Sequence, residues 1–316
     1  MLISDILLCF TRITNFDIID EKRCIMEIRL LRYFLEIARE ENMSRAAERL
    51  HVSQPTLSRT MKELEEELQT QLFTRSNYSI HLTEEGMLLR KRAEDLIEMA
   101  DRITDEFSSL GDTISGEVYI GCAESHLIKY LAQAIKKLNK QYPEIRYHIT
   151  SGDTAQVTEK LKKGLYDFAF IVEPPDLSQY NYLEVPESDI WGAIMTKNHP
   201  LAEKAEITIE NLMPYPIFTS RQSIAADLPR WCGENTEKLN LPASFNLANN
   251  AAVFAKEGLG IALAFDNLID TGTESGLTFI PLYPRLETKM FIIWKKHQVF
   301  TPASRALLDE LCKILK

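Results

Sequence analysis

Residues 53–68 read SQPTLSRTMKELEEEL, a polar opening that runs into a series of acids. Ser53 is a preferred residue type for a helix N-cap, and Pro55 is tolerated in a first turn, where backbone N–H groups have no helical partner. The apolar residues that follow are spaced by 4, 3 and 4 positions, which gives a helix one buried face: Leu57, Met61, Leu64 and Leu68. We predict that the opposite, polar face begins with Gln54, Pro55, Thr56, Ser58, Arg59 and Lys62.

The preceding segment, MSRAAERLHV (residues 43–52), has the features of the first helix of a helix-turn-helix. Ser44 can cap it, and the small side chain of Ala47 lets a second helix cross closely, as the tight turn requires. The second helix of such a motif presents its N-terminal turns to the major groove, where Gln and Arg read base edges. The acids of residues 63–67 lie in the second half, where the helix leaves the groove. A generic helical hairpin is the alternative.

The overall composition limits the other possibilities. The 316 residues carry a formal net charge of -10, so any DNA contact must be local. Five widely spaced cysteines without a CxxC pair indicate neither a disulfide framework nor a zinc site. There is no apolar run of the roughly 20 residues that a membrane helix needs, and MLISDILLCF (residues 1–10) lacks the basic residues of a secretory signal. These features predict a cytoplasmic protein with no membrane partner.

A long helix is predicted over residues 84–110, with Thr83 as its N-cap and two acids in its first turn. Its apolar residues are separated alternately by 4 and 3 positions, which is a heptad seam: Leu89, Ala93, Leu96, Ala100, Ile103, Phe107 and Leu110. Such a regular narrow stripe favours pairing with a second copy of the helix. Packing of the helix on its own domain is the alternative.

After residues 111–116, which we interpret as a hinge, strand-like and helix-like segments alternate. The βαβαβ order predicts a parallel sheet covered by helices. We assign residues 117–186 and 289–316 to a first effector lobe and residues 187–288 to a second. Ligands of such sheets bind at the carboxyl ends of the strands, so we expect a binding cleft between the lobes.

From Met26 onward the chain resembles the LysR-type transcriptional regulators. The resemblance rests on SRAAERLHVSQPTLSRTMKELEEEL (residues 44–68), LFTR (72–75) and LTEEG (82–86), followed by the long helix. It implies a multidomain α and α/β protein with a winged helix-turn-helix (26–83), a dimerisation helix (84–110) and a two-lobed effector domain of the type 2 periplasmic-binding kind. Residues 1–25 stand outside it as an N-terminal extension. Implied partners are double-stranded promoter DNA, a second or further copy of the chain in a homodimer or homotetramer, and RNA polymerase.

The resemblance also implies roles for matched residues. The implied DNA-contact set is Ser44, Gln54, Pro55, Thr56, Ser58, Arg59, Lys62, Arg75 and Thr83. The implied set for a small-molecule effector is Ser125, Thr154, Val172, Thr219, Ser220, Arg221 and Asn250. The hydroxyl groups of the second set are equally suited to capping helices, and Arg221 to being a surface charge. Glu173 leaves the charge of the effector open, and no other cofactor is expected.

Two departures from the family pattern stand out. Gln69 follows EEEL where relatives commonly have glycine, and a left-handed helix end without glycine costs about 1 kcal/mol. The wing has no basic residue after Arg75, so Tyr78 or His81 would have to contribute to its DNA contact.

The sequence gives less support to functions of other classes. Ser125 and His126 are adjacent, but no nucleophile elbow surrounds the serine, so we predict no enzyme. Cys122 fits a buried, inert thiol better than a redox sensor, because no resolving partner is visible. The main alternative is a cytoplasmic solute-binding protein without DNA function, which leaves residues 26–110 unexplained.

Overall fold

The computed structural model describes residues 26–75, 79–108, 114–172 and 176–315. The chain divides into two compact units between Arg102 and Ile103. The predicted N-terminal extension, residues 1–25, lies outside the described residues. No helix in the described ranges is both long and apolar enough to cross a membrane.

The N-terminal unit is a three-helix domain with a two-stranded wing. Its elements are α1 (Ile28–Glu40), α2 (Met43–Arg49), α3 (Gln54–Glu67), β1 (Phe73–Arg75) and β2 (Ile80–Leu82). The strands pair antiparallel. The core between them is apolar and almost fully buried, with members from all three helices: Leu31, Phe34, Ile37, Ala46, Ala47, Leu57, Met61 and Leu64. The predicted winged helix-turn-helix is confirmed, and Ala47 is buried in its core.

The prediction that Ser44 caps α2 is wrong. Asn42 is the N-cap, and its side-chain oxygen accepts hydrogen bonds from the backbone N–H groups of Ser44 and Arg45, both at 3.0 Å. Asn caps helices as well as Ser does, and starting the helix at Met43 buries that side chain. Ser44 is therefore an exposed residue of the first turn.

The ends of α3 are as predicted. The Ser53 hydroxyl accepts a hydrogen bond from Thr56 N at 3.3 Å, which confirms the N-cap. Gln69, just beyond the other end, has φ of 53°, so the chain takes the left-handed conformation there without glycine.

The long helix α4 spans Glu84–Ser108. Thr83 is its N-cap, because its hydroxyl accepts a hydrogen bond from Gly86 N at 2.9 Å. Gly86 permits a close approach between this helix and the wing, since a Cβ atom there would lie 2.2 Å from the carbonyl oxygen of Leu72.

The second unit is built on a nine-stranded mixed sheet with the order β4-β3-β5-β11-β6-β9-β7-β8, and β10 pairs with β6. Its strands are β3 (Gly116–Cys122), β4 (Ile145–Ser151), β5 (Phe168–Val172), β6 (Tyr180–Thr196), β7 (Pro216–Thr219), β8 (Asn240–Ser244), β9 (Ile261–Phe265), β10 (Leu277–Pro281) and β11 (Glu287–Lys295). β3, β4 and β5 are mutually parallel, as the βαβαβ pattern predicts. β6 is long enough to pair with β11 near its start and with β9 and β10 near its end.

This sheet has two halves, which we call lobe I (β3, β4, β5, β11) and lobe II (β7, β8, β9, β10), joined through β6. The helices are α5 (Lys129–Gln141), α6 (Thr154–Lys163), α7 (Ile209–Leu212), α8 (Leu228–Cys232), α9 (Ala248–Lys256) and α10 (Pro302–Ile314). α6 packs on β3 and β5 of lobe I, and α9 packs on β7 and β9 of lobe II.

The sequence pattern predicts one helix over residues 228–239, and that prediction is wrong. α8 and a 3₁₀ segment (Gly233–Lys238) share the region, and a π-helical segment (Ser223–Asp227) precedes them. Gly233 breaks the helix, with φ of 56° and ψ of -133°. The pattern also predicts a strand over residues 243–247, which lies earlier in the structure as β8.

Candidate functional site

The recognition helix α3 has one buried and one solvent-exposed face. Leu57, Met61 and Leu64 are fully buried. The predicted reading face is open, because its residues are exposed apart from the half-buried Ser58: Gln54, Pro55, Thr56, Arg59 and Lys62. These side chains span the first half of the helix, so the structure brings them together on one surface.

The acids of α3 have distinct local partners. Arg59 lies 3.5 Å from Glu63, and Lys62 lies 3.5 Å from Glu66; both pairs are one helical turn apart and exposed. Exposed pairs of this kind contribute little to stability and are screened by salt. The two basic side chains can therefore leave their partners for a phosphate or a base edge at small cost.

Glu65 has a structural role that the sequence pattern did not reveal. Its Oε1 accepts hydrogen bonds from Leu72 N at 2.8 Å and Phe73 N at 3.2 Å. The carboxylate thereby ties the recognition helix to the first strand of the wing. One of three consecutive glutamates (65–67) gave no signal of this contact, which spans seven residues of chain.

The wing is described only at its base. Arg75 pairs with Ile80 in the ladder, and residues 76–78, which include Tyr78, lie outside the described residues. His81 is exposed, with Nε2 3.0 Å from the Ser79 hydroxyl. The Thr83 hydroxyl donates to the carbonyl oxygen of Gln71 at 2.7 Å in addition to its capping bond.

The predicted heptad seam of α4 is divided between two environments. Ala93 is fully buried in the core of the N-terminal unit, and Leu89 packs partly against that core. Leu96, Ile103 and Phe107 are 52%, 49% and 71% exposed. Ala100 is half-buried, and Leu110 lies outside the described residues. Packing of the helix on its own domain thus applies to the first part of the stripe, and pairing with a second copy stays a prediction for the exposed part.

The second unit contains a cavity of about 360 Å³. It is lined from both lobes and from β6, and four of the predicted effector residues contribute to it: Val172, Thr219, Ser220 and Arg221. The other three do not line it: Ser125, Thr154 and Asn250. Sequence reasoning missed several lining residues, among them Trp191, Asp227 and Phe245. Glu173 lies outside the described residues.

Ser125 acts as a cap and a hydrogen-bond donor in the interior. Its hydroxyl accepts from Leu127 N at 2.9 Å and donates to Asp189 Oδ2 at 2.6 Å. His126 Nδ1 lies 3.1 Å from the other oxygen of Asp189. The imidazole is therefore paired with the carboxylate and not with the serine, so the three residues do not form the relay that activates a nucleophilic serine.

Asp266 joins this group. Ligand atoms of His126, Asp189 and Asp266 lie within 4.8 Å of one another, and these are residue types that can hold a divalent metal. The carboxylates already accept other bonds, however, since Asp266 Oδ1 accepts from Ile190 N at 3.0 Å. Burial raises the pKa of Asp189 to about 6, while the bonds from Ser125 and His126 lower it.

Cys122 is fully buried at the end of β3. Burial raises the pKa of its thiol to about 12. A thiol with so high a pKa is a poor nucleophile at neutral pH, in agreement with the interpretation of Cys122 as inert.

Asp227 is a buried acid in the wall of the cavity. Its Oδ1 lies 3.3 Å from the Arg230 guanidinium. Burial raises the pKa of Asp227 to about 6, and the hydrogen bond with the Thr288 hydroxyl opposes that shift. The proton is therefore held more tightly in the folded chain than in the unfolded chain, where an aspartate has a pKa of about 3.9.

We expect Asp227→Asn to remove part of the pH dependence of stability. Because the folded pKa is raised, the contribution of Asp227 to stability is fully present below about pH 4 and is lost as pH rises through 6. Urea unfolding should show similar stabilities for wild type and variant at pH 4, and a variant more stable by about 2 kcal/mol at pH 8. Asp309→Asn, at an exposed position, is the control and should retain the wild-type profile. Parallel curves for wild type and Asp227→Asn would contradict this role.

A helix-turn-helix with an exposed reading face, followed by a two-lobed domain with a cavity, defines the class of ligand-responsive transcription factors. Family comparisons agree with that class. The model of the bacterial regulatory helix-turn-helix protein, lysR family, matches residues 28–87. The model of the LysR substrate binding domain matches residues 111–313. The chain belongs to the LysR family of transcriptional regulators.

Individual relatives support the same assignment. The HTH-type transcriptional regulator YtlI of Bacillus subtilis is 30% identical over 263 residues, which are 81% of this chain and 83% of the relative. The HTH-type transcriptional activator CmpR of Synechocystis is 26% identical over 288 residues, 88% of this chain and 92% of the relative. The crystal structure of full-length CbnR with its target DNA matches with a TM-score of 0.72 at 19% identity, over 92% of this chain and 100% of that chain. The similarity to CbnR, at 19% identity, shows a shared fold only.

Proposed function

We propose that this regulator binds promoter DNA as a dimer or a tetramer through α3, and that a small molecule in the 360 Å³ cavity controls that binding. One observation carries the proposal: one face of α3 is apolar and buried, whereas the opposite face is polar and exposed. A DNA-binding regulator of a bacterium acts in the cytoplasm, where we place it. We propose no catalytic role and no cofactor besides the effector.

The proposed DNA contacts fall into two groups. Gln54, Ser58 and Arg59 occupy the first turns of α3, from which side chains reach base edges in the major groove. Pro55, which has neither a backbone N–H nor a polar side chain, would make an apolar contact beside this first group. The remaining residues are suited to phosphate contacts around the groove: Ser44, Thr56, Lys62, Arg75 and Thr83. The Thr83 hydroxyl is already engaged in two hydrogen bonds, and its backbone N–H donates to the carbonyl oxygen of Leu72, so its phosphate contact would come through a water.

Arg59→Ala tests the reading face. We expect promoter affinity to fall by about 1 to 3 kcal/mol if the guanidinium reads a guanine, because a bidentate pair is lost. The loss should be measured as a dissociation constant at fixed salt, on the promoter and on unrelated DNA of equal length. Arg146→Ala, an exposed arginine of the second unit, is the control for total charge. Unchanged affinity and footprint would remove Arg59 from the contact set.

Pairing of α4 through its exposed seam is the proposed basis of the dimer. Leu96, Ile103 and Phe107 are large apolar side chains that remain about half exposed or more in one chain. Burying them against the same residues of a second chain removes apolar surface from water. Each recognition helix of the pair could then occupy one half of a two-fold related site.

The cavity supports an effector of small-molecule size. Arg221, Ser220 and Thr219 line it beside Glu124 and Asp227, so both donors and acceptors are available to a ligand. A ligand can alter DNA binding only if its affinity differs between two arrangements of the protein. Thermal-shift screening of small acids and amines on the full chain would identify binders, because a ligand that prefers the folded state raises the melting temperature.

A solute-binding protein without DNA function is the second candidate, and the cavity alone favours it. It leaves the exposed face of α3 without a role. The two functions are distinguished by whether a ligand found in the thermal-shift screen changes the dissociation constant for promoter DNA.

A further inference from the structure

Two hydrogen bonds cross the cavity in opposite directions. Ala248 N, at the start of α9 in lobe II, donates to Glu124 Oε2 of lobe I at 2.7 Å. Thr154 N, at the start of α6 in lobe I, donates to Gln222 Oε1 at 3.2 Å, and Gln222 follows β7 of lobe II. Each lobe therefore supplies a side-chain oxygen to a helix N-terminus of the other lobe.

The bond from Ala248 replaces a cap that α9 lacks. The N-cap residue of α9 is Leu247, which makes no side-chain capping bond. The first N–H groups of a helix need acceptors, and the positive end of the helix dipole favours an anionic one. The Glu124 carboxylate meets both requirements from the opposite lobe.

The bond from Thr154 has a different local setting. α6 has its own cap, since Asp153 Oδ1 accepts from Gln156 N at 2.8 Å. That capping bond leaves the Thr154 N–H available, and the Gln222 amide oxygen takes it. The neutral oxygen and the longer distance make this the weaker of the two crossings.

Both hydrogen bonds span the gap between the two lobes. Glu124 and Gln222 both line the cavity and are only partly buried, so they can separate from their partners if the lobes move apart. Such a movement would break both bonds together. We propose that Glu124 and Gln222 form a latch that holds the lobes closed in the absence of an effector, and that an entering effector must displace it. The proposal uses the proposed function only in taking this cavity as the effector site.

Hydrogen exchange of the full chain tests the latch. Glu124→Ala should speed exchange at the start of α9 about tenfold, because the Ala248 N–H loses a charged acceptor. It should also speed exchange about threefold or more at the start of α6, whose hydrogen bond runs to Gln222 and not to Glu124, because the lobes open more often. Gln222→Ala should show the converse, with faster exchange at Ala248 as well as at Thr154.

Three controls make the result specific. Glu184→Ala removes an exposed glutamate of β6 that pairs with Lys289 of β11, and it should alter neither helix start. Hydrogen exchange of the backbone N–H groups of β5, a wholly buried strand, reports general unfolding. Glu124→Gln keeps the size and one acceptor oxygen, so it should restore most of the protection. If Glu124→Ala unfolds, Gln222→Ala is the deciding variant.

The latch is refuted if each substitution speeds exchange only at its own donor, since the two bonds would then be independent. It is also refuted if neither helix start responds. The experiment needs neither DNA nor effector, so its outcome is separate from that of the Arg59→Ala test of DNA binding.

Discussion

Phe34→Ala should destabilise the N-terminal unit by about 3 to 5 kcal/mol, the usual cost of truncating a fully buried phenylalanine. Phe34 has no solvent exposure, and its ring centroid lies 5.3 Å from that of Phe73 at the base of the wing. The substitution therefore opens a cavity where α1 meets the wing. A domain is stable by only about 5 to 15 kcal/mol, so promoter binding should fall together with stability.

The measurement can separate the two units. All three tryptophans, Trp191, Trp231 and Trp294, belong to the second unit. Their fluorescence should report unchanged unfolding of that unit in urea, while hydrogen exchange in α3 becomes much faster. Ile28→Ala is the control in the same helix; the residue is 47% exposed, and we expect a loss below about 1 kcal/mol. Equal losses for the two variants would show that the buried contact of Phe34 is not the cause.

The features that the sequence predicted correctly are local ones. Helix periodicity located α3 and α4, because one face of each is buried at regular spacing. Ser53 and Thr83 were correct as caps since their side chains act within three residues of themselves. The same local rule gave a wrong prediction for Ser44, because Asn42, two residues earlier, is an equally good cap.

The cavity was predicted less well, for a physical reason. Its wall is set by how distant segments meet, and neither caps nor periodicity report that. Glu124 and Ala248 are separated by 124 residues, and Thr154 and Gln222 by 68. The predicted residues that do line the cavity, such as Val172 and Thr219, end strands of the sheet, where the topology alone places a ligand.

The seam of α4 shows a related limit of sequence reasoning. A 4, 3 spacing identifies a stripe but does not say what covers it. Ala93 is covered by the chain's own core, whereas Leu96, one turn further on, is 52% exposed. The small side chain fits a close packing within the unit, and the large side chains beyond it remain exposed. The exposed part of the stripe is therefore the part that a dimer would use.

Charging that exposed part should dissociate the proposed dimer. The variant Leu96→Glu with Ile103→Glu removes two apolar side chains per chain, each about half exposed in one chain. Fully burying such a side chain contributes about 1.5 to 3 kcal/mol. The dimer would contain four such positions, two in each chain. Losing roughly half that free energy at each position, and bringing four carboxylates together, should weaken association by about 4 kcal/mol or more. Sedimentation equilibrium should then find a monomer at concentrations where the wild type is a dimer.

Met87→Glu is the matched control for this variant. Met87 is also apolar and 56% exposed, but it precedes Leu96 by nine residues, which at 3.6 residues per turn places it on the opposite side of the helix. A carboxylate there should leave association unchanged, and promoter binding should fall only in the seam variant, because a single recognition helix retains one half-site. If the seam variant remained dimeric, the pairing of α4 would be rejected and the dimer would have to form through another surface. If both variants dissociated, added charge rather than the seam would explain the effect.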